Sequence, residues 1–265
     1  MPIWTWVTQH RGWSIGMAVL LLLVAGIATA YYVLFRTTST PIGPRQAIKL
    51  YRDRQAATTT QPEGLPATGV YEYHTSGQEG LSIPGMSRQY PDRTPMIVTA
   101  GRCAAVRWEP LTQHIETIEE CRDGGGGLEL RSSVTVESIA GTTTRSVMTC
   151  PTGTYLRPPH PVAGMHWSAV CHMGKDKVVA TGRVLGDATL RIGGSAVPAL
   201  RTELDLSYRG SQTGTNPTEY WWSPSSDLIL REREAVHIAQ AQGPLGAVDY
   251  SEEMLATVTS LRPEV

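Results

Sequence analysis

The chain has 265 residues, 18% of them charged, and a formal net charge of −1. The charge is unevenly placed: residues 1–67 carry six Lys/Arg against Asp53 and Glu63, and residues 68–265 carry 17 against 22 acidic residues. A mildly acidic body of about 200 residues is large enough for one domain with a substantial core. It lacks the clustered cationic face that nucleic acid requires, which excludes nucleic acid as a partner.

No residue from Gly12 to Phe35 is charged. As a helix this run is about 36 Å long, enough to cross roughly 30 Å of hydrocarbon. Trp4, Trp6 and Trp13 before it and Tyr31 and Tyr32 near its end stand where interfacial aromatics sit. The sequence thus predicts a short cytoplasmic N-terminus (1–11), one transmembrane helix (12–35), a juxtamembrane helix and linker (36–68), and an extracytoplasmic β domain (69–265). The lipid bilayer is then a partner through the N-terminal helix. A cleavable signal peptide is the alternative, with Ala28-Thr29-Ala30 as a small-x-small site. Cleavage there would leave the apolar Tyr31-Tyr32-Val33-Leu34-Phe35 at the new terminus, which favours an uncleaved anchor.

Orientation is set by opposing signals. Arg36, Arg45, Lys49, Arg52 and Arg54 follow the segment and Arg11 alone precedes it, which on the positive-inside rule places the body in the cytoplasm. That rule weakens for long translocated domains, and the cysteines point outward. Cys103, Cys121, Cys150 and Cys171 form an even set in the body, as expected of disulfides in an oxidising compartment. Three pairings are open. Cys103–Cys121 and Cys150–Cys171 are preferred because each closes a short loop across neighbouring strands. Their spacings do not match the close Cys pairs of structural zinc sites, and no metal is expected.

In chain order, Pro44 opens a helical run, Arg45 to Gln55, with Ala47, Ile48 and Tyr51 on one face. Its basic face suits either anionic headgroups or plain solvent. Ala56 to Thr68 reads as a linker. Strands are predicted at Val70–Thr75, Met96–Ala100, Ala104–Trp108 and His114–Cys121. From Leu128 to Glu137, apolar Leu128, Leu130, Val134 and Val136 alternate with polar residues; a similar alternation runs from Leu200 to Tyr208. Further strands are predicted at Arg145–Cys150, His166–Met173, Val178–Val184 and Ala247–Leu261. Ser223-Pro224-Ser225-Ser226-Asp227 is a turn between Thr218–Trp222 and Leu228–Val236, giving a hairpin. The fold class is mainly β: a curved antiparallel sheet, or a whole or half barrel, of about ten to twelve strands.

Catalytic signatures are missing. There is no G-x-S-x-G, H-E-x-x-H or P-loop pattern, and no cofactor is implied. His166 and His172 would lie roughly 20 Å apart along a strand. The run Asp123 to Gly127 lacks a following helix and reads as a flexible turn. Glu116, Glu119 and Glu120 offer carboxylates, but a polar strand face is ordinarily just solvated. The aromatic run Tyr220-Trp221-Trp222 is more informative, since Tyr220 and Trp222 share one strand face and Trp221 has the other. One face suits the core; the other suits a concavity, a partner or the chain's own loops. With Trp108 and Trp167 these three form the candidate ligand or partner face.

The Arg36-Thr37-Thr38-Ser39-Thr40-Pro41 stretch after the anchor, the Gly69-Val70-Tyr71-Glu72-Tyr73 strand, Trp108-Glu109-Pro110-Leu111 between Cys103 and Cys121, and the Tyr220-Trp221-Trp222-Ser223-Pro224 hairpin together resemble actinobacterial single-pass, membrane-anchored envelope proteins. The resemblance covers nearly the whole chain and implies location and β architecture. More distantly, the aromatic strand, its turn and the return strand Leu228 to Glu234 are similar to a hairpin of Lol-type and LppX-type lipid or lipoprotein carriers, whose curved sheet wraps an apolar cavity. Those carriers are soluble or held by a lipobox cysteine, and this chain has no cysteine near its anchor. The expectation is a non-enzymatic envelope module binding an apolar ligand or an envelope protein. A carboxylate enzyme on envelope glycan and a structural scaffold of a membrane complex are the alternatives.

Overall fold

The computed structural model describes residues 39–55, 65–101, 103–139, 141–243 and 246–265, together with Leu22, Val24 and Gly26. Those three are helical, with Leu22 and Val24 exposed. The rest of the expected transmembrane helix, residues 1–11 and most of the linker lie outside the described residues. Among the described residues no helix is long and apolar enough to cross a membrane.

A period of two in burial runs through the body and builds one continuous antiparallel sheet. Its strands are β1 (Gly69–Leu81), β2 (Ser87–Gln89), β3 (Arg93–Thr99), β4 (Ala104–Leu111), β5 (His114–Arg122), β6 (Leu128–Ile139) and β7 (Thr142–Thr149). They continue as β8 (Tyr155–Arg157), β9 (His166–Met173), β10 (Asp176–Ile192), β11 (Ser195–Arg209), β12 (Gln212–Trp222), β13 (Ile229–Gly243) and β14 (Gly246–Val258). Apart from short β2 and β8, each strand pairs with its chain neighbour, and β14 returns to β1 from Tyr73↔Val258 to Leu81↔Tyr250. The sheet is therefore a closed barrel of twelve strands without a long open edge, the surest protection against edge-to-edge aggregation.

The two rims differ. At one, which we call the upper rim, lie the β4–β5, β6–β7, β9–β10, β11–β12 and β13–β14 turns. The lower rim carries the start of β1, the β5–β6, β10–β11 and β12–β13 turns and the C-terminus. The Ser223–Asp227 turn and its hairpin stand where the sequence places them, with Asp227 in a left-handed conformation (φ 50°). The Asp123–Gly127 run is an ordered turn: Asp123 Oδ1 accepts from the Gly125 and Gly127 amides, and Tyr155 Oη donates to Oδ2.

Helix α1 (Pro44–Gln55) lies on the outer wall. Ala47 and Tyr51 bury against Val70 and Ile97, cross-strand partners on the outward side of β1 and β3. Tyr71, Tyr73, Met96 and Val98 point the other way, into the lumen core. The lower lumen is filled by β8, which pairs with β6 and also touches β10 and β11. Leu156 at its centre is 1% exposed, and its carbonyl accepts from Thr202 Oγ1 of β11. Arg157 and Arg122 bind Asp227, tying this plug to the lower rim.

One sequence expectation is corrected. The β5–β6 register skips Arg131, a bulge that inserts an extra residue in β6 and switches its phase. Leu128 and Leu130 are in the core, but beyond the bulge Ser133, Thr135 and Glu137 take the inward positions. Val134 and Val136 therefore face outward, on the side opposite to Leu128 and Leu130.

Both preferred disulfides form: Cys103–Cys121 with Cα atoms 4.5 Å apart, and Cys150–Cys171 at 4.3 Å. They do different work. The first joins strands already laddered along their length. The second crosses the thinnest seam in the wall, where β7 and β9 share only Met148↔Met173 and Thr149↔His172. Replacing Cys150 and Cys171 by Ala is expected to cost about 3 kcal/mol in denaturant unfolding. It should also speed hydrogen exchange selectively in β7 and β9, whereas the Cys103/Cys121 double variant should lose stability without that local opening.

Candidate functional site

Above the β8 plug the lumen stays open as a cavity of about 360 Å³, within the lower range of small-ligand sites. Its upper wall is apolar along Leu81 of β1, Ile139 of β6, Met173 of β9, Val236 and Ile238 of β13 and Val248 of β14, and polar at Thr142 and Thr144 of β7 and Gln212 of β12. Its floor is polar, with Glu116, Glu137, Glu234, Glu252, His114 and Asn216. The register orders these bands. Along β13 the inward positions run Glu232, Glu234, Val236, Ile238 toward the upper rim, and along β14 Met254, Glu252, Tyr250, Val248 beside them.

The floor is organised around Glu79, which is 1% exposed. Arg88 binds its Oε1, and its Oε2 meets His114 Nδ1 at 2.5 Å and Tyr250 Oη at 3.0 Å. Arg88 also donates to the Ser138 and Gln113 carbonyls, joining the floor to the β6–β7 and β4–β5 ends. Tyr90 and Tyr250 both donate to Glu252, at 2.6 and 2.8 Å. Asn216 donates to Glu234 at 2.6 Å and Ser133 to Glu116 at 3.3 Å. Glu137 Oε1 has no hydrogen-bond partner among the described residues.

These contacts set the charges. Burial opposes ionisation of Glu79, but the His114 and Arg88 charges and hydrogen bonds outweigh it and hold Glu79 down at about 2. Burial likewise works against the imidazolium of His114, yet Glu79 and Glu252 lift it to about 10. Sequestration from water, with mutual repulsion, pushes Glu232 and Glu234 well above the carboxylate range and raises Glu116 and Glu252. Glu137 rises to about 8, through burial and then the Glu79 charge. At neutral pH the floor thus mixes one ionised pair, Glu79 and His114, with the protonated carboxyls of Glu137 and Glu234. Protonated carboxyls donate as well as accept hydrogen bonds, so the floor suits a polar head group under an apolar chain.

Glu79, His114 and Glu137 bring donor atoms within 4.8 Å of one another. Glu79 and His114 are already committed to each other, and Arg88 puts a second cation against the group, so the cluster holds its own cations and is poorly suited to a divalent ion. Glu119 lies as close to Cys103 and Cys121, whose sulfurs are taken by their disulfide.

Of the five candidate aromatics, Trp108, Tyr220, Trp221 and Trp222 are buried in the core and Trp167 is half-buried, and none of them lines the cavity. Tyr220 and Trp222 face the lower lumen, with Trp222 Nε1 donating to Thr202. Trp221 is covered on the other face, where Arg201 and Arg231 stand 5.4 and 5.6 Å from its ring centre. Leu190, Ile192, Val197 and Ala199 from the distal β10–β11 hairpin belong to its cluster. The chain's own elements therefore cover both faces. Trp167 lies across Gly182 of β10, where any Cβ would fall 2.1 Å from the ring, and it donates to the Tyr155 carbonyl of the plug. Trp108 sits edge-on to His114 at 5.3 Å and to Tyr90 at 5.1 Å, supporting the floor from behind.

Glu116 is weighed in the sequence as a carboxylate and set aside as solvated, and the other floor glutamates escape the search for chemistry, although phase signals most of them. Glu232 and Glu234 share parity with Leu230, Val236 and Ile238, and Glu252 with Met254, Ala256 and Val258. Glu116 and Glu120 share it with Ile118. A carboxylate in phase with a core-facing stripe is inside.

Glu120 gives the cleanest test of these electrostatics. It is fully buried with neither oxygen partnered among the described residues, and burial, then Asp227, lifts it to about 8. A folded-state value above the unfolded one gives stability that is complete below about pH 4.5 and lost as pH rises through about 8. Glu120→Gln should match the wild type near pH 4.5 and exceed it at pH 8 to 9 by on the order of 4 kcal/mol, read from thermal melts across that range.

No family model and no curated protein matches the chain. Among solved structures it is similar to a hypothetical lipoprotein, YmcC, from Escherichia coli (K12), at 12% identity and a TM-score of 0.34, over 79% of this chain and 97% of that one. A likeness of that size says nothing about what this barrel holds.

Proposed function

We propose that the protein is a non-enzymatic, membrane-tethered envelope module whose barrel holds a small apolar or amphipathic ligand outside the cytoplasm. The observation that carries the reading is the cavity inside a closed barrel: a hydrogen-bonding floor of carboxyls, with apolar side chains of β13 and β14 above it reaching toward the upper strand ends. The two disulfides support an oxidising compartment, and the uncharged run from Gly12 to Phe35 supports the tether. At about 360 Å³ the site fits one chain better than the several acyl chains of a lipoprotein.

The β6 bulge supplies a paired test. Thr135 lines the cavity and the adjacent Val136 points out of the wall. N-phenyl-1-naphthylamine, a neutral apolar fluorophore, should bind the wild type and Val136→Trp saturably at one site. Thr135→Trp should weaken that binding at least about tenfold with an unchanged melting temperature. Equal binding by the two variants would remove the cavity as the site.

The competing reading, a carboxylate enzyme on envelope glycan, has in its favour that Glu116, Glu137, Glu234 and Glu252 line one cavity. It requires turnover of glycan fragments that Glu116→Gln or Glu234→Gln abolishes. The binding reading expects no turnover by any of the three proteins.

A further inference from the structure

The point at which the chain joins the barrel fixes which way the cavity faces. Thr40 is stapled to the β4–β5 turn: its amide donates to Gln113 Oε1 at 3.0 Å, and its carbonyl accepts from the Thr112 amide at 3.0 Å. Pro41 bridges Leu111 at the end of β4. Gln113 also accepts from the Ser138 amide, beside the β6–β7 end where Ile139 and Thr142 line the cavity. From there α1 descends the outer wall, and Arg52 reaches the Val265 carbonyl at the lower rim. The chain therefore enters at the rim of the cavity mouth and leaves at the opposite rim.

Five residue steps separate Phe35, the end of the uncharged run, from Thr40. At no more than about 3.6 Å per step, they span under roughly 20 Å. A 13-residue strand such as β14, tilted as barrel strands are, makes the wall about 30 Å tall. A tether that short, attached at the upper rim, keeps the mouth near the end of the apolar run and the plugged rim remote. The upper rim also suits a lipid surface: from Ile238 to Val248 the sequence carries no charge, and β13 and β14 run into that stretch as far as Gly243 and Gly246.

We infer that the cavity opens toward the outer surface of the membrane that holds the anchor and exchanges its ligand directly with that leaflet. The ligand is then a single-chain, membrane-soluble amphiphile, entering with its hydrogen-bonding head toward the glutamate floor. This rests on the tethered binding module proposed above.

Full-length protein in vesicles tests it. A fluorophore is attached to Lys175→Cys at the upper rim or to Ser195→Cys at the lower, and the lipid carries a headgroup nitroxide. Quenching should be at least about fivefold greater at position 175; equal or reversed quenching overturns the orientation. A 20-residue Gly/Ser insertion after Thr38 adds about 25 Å of flexible reach. It should slow loading of N-phenyl-1-naphthylamine from vesicles at least about fivefold while leaving the final occupancy unchanged, and an unchanged rate overturns direct exchange. Two other outcomes would instead sink the earlier reading: protein that does not float with vesicles defeats the tether, and oriented protein that never takes up the probe defeats the binding site.

Discussion

The pairing of β14 with β1 is the constraint on which the remaining features depend. Its nine residue pairs join the two ends of a sheet that would otherwise present two long edges to solvent and to other copies of the chain. Closure also creates an inside. Along β1 the inward set is Tyr71, Tyr73, Thr75, Glu79 and Leu81, and along β14 it is Val258, Ala256, Met254, Glu252 and Tyr250. Meeting in register, these two stripes carry the molecule's vertical order: aromatic and aliphatic core below, carboxylates at mid-height, apolar wall above. A slip of one residue would turn Glu72 and His74 into the lumen and Tyr71 and Tyr73 out of it. The hydrophobic pattern therefore fixes the register, and the register fixes the floor.

A twelve-strand wall encloses more space than its own side chains fill, since barrel diameter grows with strand number. The lower half is packed by β8, whose Leu156, held by Thr202 and flanked by Trp222 and Leu204, behaves as core. Trp167, lying on Gly182, fastens that plug to β9 and β10, and Asp227 fastens it to the rim through two arginines. The Cys150–Cys171 bond spans the start of the same excursion, where the chain leaves β7 and the wall is thinnest. Plug, disulfide and seam thus form one solution to inserting a segment inside a barrel: the wall gives up ladder hydrogen bonds, and a covalent bridge takes their place.

The fold was legible in the sequence to a good extent because alternation and turn chemistry are local. Antiparallel β architecture, the 218–236 hairpin with its Ser-Pro-Ser-Ser-Asp turn and the two disulfides are readable from short segments. Closure is not, because it depends on residues nearly 200 positions apart. The β6 bulge is equally hidden: nothing in Glu129-Leu130-Arg131-Ser132 announces the extra residue, and without it Val134 and Val136 read as core and Glu137 as surface. The aromatic strand misled for a different reason. Large side chains suit a ligand face and a packed core alike, and only the surroundings of Trp221, two arginines and a distal hairpin, decide between them.

The glutamate floor is the part of the structure that folding alone does not require. Apolar side chains of similar volume would complete the core, and replacing buried ionisable groups in that way is often neutral or stabilising. Here several carboxyls face one another, with His114 the one basic group lining the cavity among the described residues and Arg88 spent on Glu79. Each is obliged to stay protonated or to borrow a hydroxyl from Tyr90, Tyr250 or Ser133. Such an arrangement weakens the fold as pH rises, and strongly shifted groups gathered in a cleft are the usual mark of a site. The apolar wall above them makes the same point from the opposite side. Val236, Ile238, Val248 and Leu81 face a cavity where they could have packed against a second plug, and the loss of that burial is compensated only when something apolar occupies the space.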